Sequence, residues 1–505
     1  MLSRLTSGFE RKNREERGGY ASYTSAMKFT RAQMLRASRR RDARYDGHFL
    51  TGVLSTGIYC LPSCPARNPK AENIRFFEQE DAAREAGLRP CKRCRPDLFY
   101  RDLDPEETLA ADIAALIRKN VTGIPDVRDL ARRSGVGQTT LNRLTLRHFH
   151  RTPSAMLTQA RVDHVMRDLA VNGRGILETA LNGGFESPST FHAAFLRWGA
   201  LRPGDVRKLI RNSETLLLPP RNFRFDLARK QILRDSKSPD QHSVGNRLLQ
   251  AITLERGTAT LELELNDRIT LRIHADRKLH PNETIQAHRT ALRILGLVVD
   301  PRPFEKRALS NDSGRILLGT RRGLRIPQTL DFWDGLVWVV VGQAVSLAAA
   351  RAVRGRLIER YGEKAPGGLA ALPAAARIAD AGEKNLASVG LSASKAHTLR
   401  SLAEAVAGGE LDAETLSTTS APRIERILLQ RSGLGPWSVH YLLMRSFALT
   451  DSVPVGDSAL GEALKRFHQL ERRPSPRETH KLLAPFAPYR SFAVMHHWMS
   501  LGDTP

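Results

Sequence analysis

The stretch "RSGLGPWSVHYLLMRSFALTDSVPVGDS" (431–458) decides how the largest part of this chain can fold. Gly433 and Gly435 suit a tight turn between two helices, and Pro436 stands at the preferred first position of the second. Such a hairpin leaves backbone N–H groups facing outward, where a phosphate can accept them without regard to base sequence. Trp437 and Tyr441 are one helical turn apart and share a face. Asp457 precedes "SALGEALKRF", so taken alone it reads as a helix N-cap.

Outward from this stretch, 505 residues are too many for one core and imply about three or four domains. A hydrophobic share of 41% excludes general disorder. No run approaches the roughly 18 to 20 apolar residues of a membrane span. The N-terminus carries no secretory apolar core, so a cytoplasmic protein with no membrane partner is expected. Lys and Arg outnumber Asp and Glu by 78 to 53, a formal net charge of +25 spread along the chain. That excess exceeds what solubility needs and points to a polyanion, of which nucleic acid is the commonest large one inside a cell.

Residues 1–44 are basic and weakly patterned and read as a disordered tail. All four cysteines fall within 45–103, as C-x3-C and C-x2-C: Cys60, Cys64, Cys91 and Cys94. In a reducing compartment two close pairs suit one tetrahedral Zn2+ site, either stapling a small domain or doing chemistry. Helical patterning runs through 105–212, where "VRDLARRSGVGQTTLNRLTLRHFH" and "ILETALNGGFESPSTFHAAFLRWG" each read as helix, glycine turn, helix. Pro219–Pro220 in "SETLLLPPRNF" marks a boundary. The alternating "ATLELEL" and "ITLRIHA" make 221–320 α+β, and 325–505 is again helical. The expected fold is multidomain and mainly α. It comprises a small zinc α+β domain, an all-α tandem helix-turn-helix domain, an α+β domain and an all-α helix-hairpin-helix domain.

Three resemblances sharpen this reading. "TGIYC", "PSCPAR" and "RPCKRC" within 41–96 closely resemble the methylphosphotriester-repair domain of Ada-type alkylation-response proteins. The resemblance implies that Cys60 is both a zinc ligand and the methyl acceptor. It also implies that methylation, by removing a negative charge facing DNA phosphates, strengthens DNA binding. The family usually has Arg after the acceptor; here Leu61 stands there. The tandem units, with "GF" and "SPSTF", resemble the AraC-type DNA-binding domain. Candidate DNA contacts are Gln138, Thr139, Asn142 and Arg143, then Ser189, Thr190 and His192; Leu141, Leu144, Phe191 and Phe195 have core spacing.

Hairpin plus downstream Asp over 325–500 resembles the helix-hairpin-helix DNA glycosylase superfamily. "VGQAVSLAAARAVRGRLIERYG" and "YRSFAVMHHW" resemble its 3-methyladenine glycosylase II branch. The resemblance implies Asp457 as the catalytic carboxylate, with Trp437, Tyr441 and Trp498 as walls of a base pocket. Gly433, Gly435 and Gln343 are the DNA-binding candidates. Trp437 occupies the place of the Schiff-base Lys of strand-cutting relatives, so a monofunctional enzyme is expected. The family's bulky wedge corresponds to Ala344, which cannot fill the gap left by a flipped base; Gln343 or another loop could take its place. No cysteine remains for an iron–sulfur cluster or for an O6-alkylguanine transferase nucleophile.

The combined expectation is a monomeric alkylation-damage protein. It binds Zn2+ and acts on double-stranded DNA carrying alkylated bases and methylphosphotriesters, and on a promoter site. The alternative is a transcription regulator whose glycosylase-like half only binds DNA.

Overall fold

The computed structural model describes residues 29–100, 104–172, 174–233 and 237–502. Two compact units divide at residue 105. Among the described residues no helix is long and apolar enough to cross a membrane.

In the first unit helix α1 (Arg31–Arg40) opens with a capping box in which Thr30 and Gln33 satisfy each other's backbone N–H groups. The expectation of a disordered tail through residue 44 is corrected here. The helix buries only Met34 and Ala37, and its arginines hide that narrow stripe from a composition-based reading. Residues 1–28 of the expected tail lie outside the described residues. Strands β1 (Leu50–Val53), β2 (Ile58–Cys60), β3 (Ile74–Phe77) and β4 (Arg89–Pro90) form a sheet in the order β3-β1-β2-β4. Leu50, Tyr59, Leu61, Phe77 and Leu88 fill the core beneath it.

The second unit begins with α2 (Pro105–Lys119). The first helix-turn-helix pairs α3 (Val127–Arg133) with α4 (Gln138–Phe149), turning at Gly135 with φ +69°. After the long α5 (Pro153–Val171), the second pairs α6 (Ile176–Asn182) with α7 (Pro188–Gly199), turning at Gly184. Leu141, Leu144, Phe185, Phe191 and Phe195 are buried, as their spacing required.

Strand β5 (Glu214–Leu217) lies inside the stretch read as a boundary, and Pro219 and Pro220 follow its end. It edges a six-stranded antiparallel sheet completed by β6 (Lys237–Ser238), β7 (Gln241–Val244), β8 (Arg247–Leu254), β9 (Gly257–Leu265) and β10 (Ile269–His274). The spatial order is β5-β10-β9-β8-β7-β6. One apolar core runs from Val162 and Phe195 through Leu261, Leu263 and Leu271 to Ala287 and Ala291 of α8 (Pro281–Ile294). The helix-turn-helix region therefore shares its interior with the sheet. Beyond it, α9 (Phe332–Gly342), α10 (Leu347–Tyr361), α11 (Ala421–Leu429), α12 (Pro436–Arg445), α13 (Ser458–Phe467) and α14 (Arg490–Ser500) frame a helical region.

Candidate functional site

The hairpin joins α11 to α12. Gly433 has φ +80°, and a Cβ there would lie 2.1 Å from Thr398 Oγ1, so both backbone conformation and space demand glycine. Gly435 is the N-cap of α12 and faces open space. Gln343 Nε2 donates to Gly433 O at 2.7 Å and to Ser438 Oγ at 3.1 Å, so its amide braces the hairpin. Ala344 is exposed, in the left-handed region at φ +54°, with exposed Val345 and Leu347 beyond it.

Asp457 accepts hydrogen bonds on both carboxylate oxygens. It is the N-cap of α13, with Oδ1 accepting from Leu460 N at 2.7 Å. The same oxygen accepts from Trp498 Nε1 at 3.0 Å, and Oδ2 accepts from Trp437 Nε1 at 2.9 Å. Three donors thus fix a half-buried carboxylate. Tyr441 lies between the two indoles, with ring centroids 5.8 Å from Trp437 and 6.3 Å from Trp498. The four residues proposed for the pocket are therefore brought together. Sequence reasoning missed Arg445, whose guanidinium sits 5.6 Å from the Tyr441 ring centroid; its i+4 spacing from Tyr441 could have revealed it. It also missed Ser438 and Thr398, which carry no spacing signal.

In the first unit Cys60, Cys64, Cys91 and Cys94 bring their sulfurs within 4.8 Å of one another, with no disulfide. Cys64 Sγ and Cys91 Sγ are 3.9 Å apart. A tetrahedron with metal–sulfur bonds of about 2.3 Å has edges of about 3.8 Å. Leu61 N and Arg93 N each donate to a sulfur, Cys94 and Cys91 respectively. Mutual hydrogen bonding among the four sulfurs pushes the Cys60 thiol up and the Cys91 thiol down. The donor set fits a metal ion. Cys94 is the least buried of the four, and Leu61 is a core residue 5% exposed.

Gln138, Thr139 and Asn142 are exposed on α4, and Ser189, Thr190 and His192 on α7. Arg143 is held by Glu106, with Nη2 at 2.7 Å from Oε1, and Arg147 shares that carboxylate. Thr190 N donates to Ser187 Oγ, which caps α7.

Three family models match this chain: the metal binding domain of Ada over residues 33–97, a helix-turn-helix domain over 130–209, and the HhH-GPD superfamily base excision DNA repair proteins over 337–488. The chain is thus a fusion of an Ada-type metal-binding domain, a helix-turn-helix domain and an HhH-GPD domain. It is 27% identical over 486 residues to a probable bifunctional transcriptional activator/DNA repair enzyme AlkA of Mycobacterium tuberculosis, covering 92% of this chain and 95% of that one. It is 28% identical over 190 residues to DNA-3-methyladenine glycosylase 2 of Escherichia coli, 37% of this chain and 63% of that one. The fold matches the 3-methyladenine DNA-glycosylase from Archaeoglobus fulgidus with TM-score 0.50 at 16% identity, over 57% of this chain and 98% of that one.

Proposed function

We propose that this chain is an alkylation-damage DNA repair and response protein. Its second half is a monofunctional glycosylase of the 3-methyladenine type II kind, a hydrolase releasing N-alkylated purines such as 3-methyladenine. Its first half is a methylphosphotriester acceptor fused to an AraC-type DNA-binding region. The observation that carries the reading is a carboxylate, Asp457, fixed by two indole N–H groups beside three aromatic faces.

N-alkylation at purine N3 or N7 puts positive charge on the base. The faces of Trp437, Tyr441 and Trp498 attract such a base by up to about 2 kcal/mol once it is desolvated. The same charge weakens the glycosidic bond, so the enzyme mainly supplies a fixed anion beside the developing oxocarbenium. Asp457 fills that role, and its indole donors hold it in place without neutralising it. Trp437 has no amine for Schiff-base attack on the sugar, so the product is an unbroken abasic strand. The outward-facing turn at Gly433 and Gly435, braced by Gln343, grips the DNA backbone.

Cys60, Cys64, Cys91 and Cys94 would hold Zn2+, which keeps sulfur ionised at neutral pH. Cys60 Sγ forms the new bond to the phosphotriester methyl as the methyl–oxygen bond breaks, leaving a phosphodiester. Leu61 is a core residue, so phosphate contacts fall to other groups. Gln138, Thr139, Asn142, Arg143, Ser189, Thr190 and His192 form the double-stranded DNA face. Segments 45–103, 105–212, 221–320 and 325–505 serve as the functional divisions of a cytoplasmic monomer.

Release of free 3-methyladenine from alkylated duplex by purified protein tests the reading. DNA binding without release would favour the regulator that only binds DNA.

A further inference from the structure

The short segment Thr450–Asp457 delivers the pocket carboxylate, and most of its fastenings come from the α14 side. Ser491 N donates to Thr450 O at 2.9 Å, and Ser452 N donates to Ser491 Oγ at 2.9 Å. Arg490 grips the Asp451 carboxylate through Nε at 2.7 Å and Nη2 at 2.8 Å. Trp437 of α12 and Leu460 N hold Asp457 itself, and a further fastening comes from the helix-turn-helix region. The backbone N–H of Asp451 donates to Nδ1 of His150 at 3.1 Å, and His150 ends α4, the second helix of the first helix-turn-helix unit.

The contact is built rather than incidental. His150 takes the left-handed conformation at φ +54°, which turns the chain at the end of α4. Burial pushes its imidazole down to about 4, so at neutral pH Nδ1 keeps the lone pair that the amide needs. The same helix packs on α11, which leads into the hairpin. Arg426 of α11 is gripped by both carboxylate oxygens of the buried Glu107 of α2, Nη1 to Oε1 at 2.7 Å. Arg118 Nη1 donates to Thr418 Oγ1 at 2.9 Å just before α11. The helix-turn-helix region therefore touches both parts of the pocket frame, the hairpin helix and the segment carrying Asp457.

We propose that His150 is a positioning residue for base release, holding the Thr450–Asp457 segment so that Asp457 meets the two indoles. This rests on the glycosylase reading above. It makes the DNA-binding region a structural part of the enzyme rather than a tether. A duplex read by the exposed start of α4 is then joined through one helix to the segment bearing the carboxylate.

The test uses the full-length protein. His150→Gly removes the acceptor but keeps the left-handed helix end, where glycine is the favoured residue. His150→Asn restores an oxygen acceptor near the Nδ1 position and tolerates the same backbone. In single-turnover release of 3-methyladenine, His150→Gly should be slower by about tenfold, the scale of one lost hydrogen bond to a part-buried amide. Affinity for alkylated duplex should stay within about twofold, and His150→Asn should recover most of the rate. Amide exchange in a peptide spanning 449–457 should quicken in His150→Gly and return to wild-type in His150→Asn. Wild-type release and exchange in His150→Gly, or no recovery by His150→Asn, would overturn the proposal. If the wild type releases no base, the glycosylase reading falls, and the exchange arm still decides whether His150 holds the segment.

Discussion

Asp457→Asn separates charge from geometry at the pocket, and its cost can be worked from the hydrogen bonds. The carboxylate accepts from Leu460 N and Trp498 Nε1 on one oxygen and from Trp437 Nε1 on the other. Asparagine has a single acceptor oxygen. With that oxygen kept on Leu460 N and Trp498, its NH2 faces the Trp437 N–H, donor against donor. The half-buried site should lose about 1 to 2 kcal/mol of stability, more than a simple cap replacement costs. Base release should fall by about a hundredfold or more, because the anion beside the cationic transition state is gone. Trp437→Phe removes the opposing N–H while keeping an aromatic face. The double variant should therefore recover thermal stability but not activity. Melting curves together with single-turnover release of 3-methyladenine measure both terms. A double variant that regains release, or an active Asp457→Asn protein, would refute electrostatic stabilisation by Asp457.

Other perturbations bear on separate parts of the structure. Gly433→Ala should destabilise the hairpin and weaken DNA binding severely, since its Cβ would overlap Thr398 Oγ1 at 2.1 Å and φ is +80°; wild-type affinity for undamaged duplex would contradict this. Elemental analysis should find one zinc per chain, lost in Cys64→Ala together with folding of the first unit. Methylphosphotriester DNA should add about 14 Da to the peptide containing Cys60, the mass of one methylene on a thiol; a methyl on the more exposed Cys94 would reassign the acceptor. His288 is buried against Gly199 O at 2.9 Å, and burial pushes its imidazole down to about 4. The unfolded chain takes up that proton near pH 6.5 and the folded chain does not. Stability from this group is therefore full above pH 6.5 and declines as pH falls toward 4, by about 1.4 kcal/mol per pH unit. His288→Gln should make the acid limb of a melting-temperature profile shallower, and an unchanged limb would count against it.

Much of this was legible because the relevant chemistry is local. Metal-ligand spacing, glycine turns and core periodicity lie within windows of tens of residues, so Cys60 to Cys94, Gly135, Phe185 and Gly433 could be read directly. Strands β9 and β10 show alternation, whereas β7 ("QHSV") is too short and polar to declare itself, and β5 is masked by the prolines that follow it. Helix α1 was hidden by its arginines. Asp457 read as an N-cap from its local sequence, and its carboxylate caps α13 while also accepting from two indoles. What the sequence could not show are contacts joining distant segments. Trp498 to Asp457 spans 41 positions and His150 to Asp451 spans 301, and no local pattern announces an indole or imidazole partner at such range.

The central claim is that the second half cuts glycosidic bonds and not the strand. Purified full-length protein, given duplex DNA bearing 3-methyladenine, should release the free base and leave an abasic strand that breaks only on later alkali treatment. Borohydride should trap no protein–DNA adduct, because Trp437 offers no amine. Tight binding with no free base, or a trapped covalent adduct, would contradict the account.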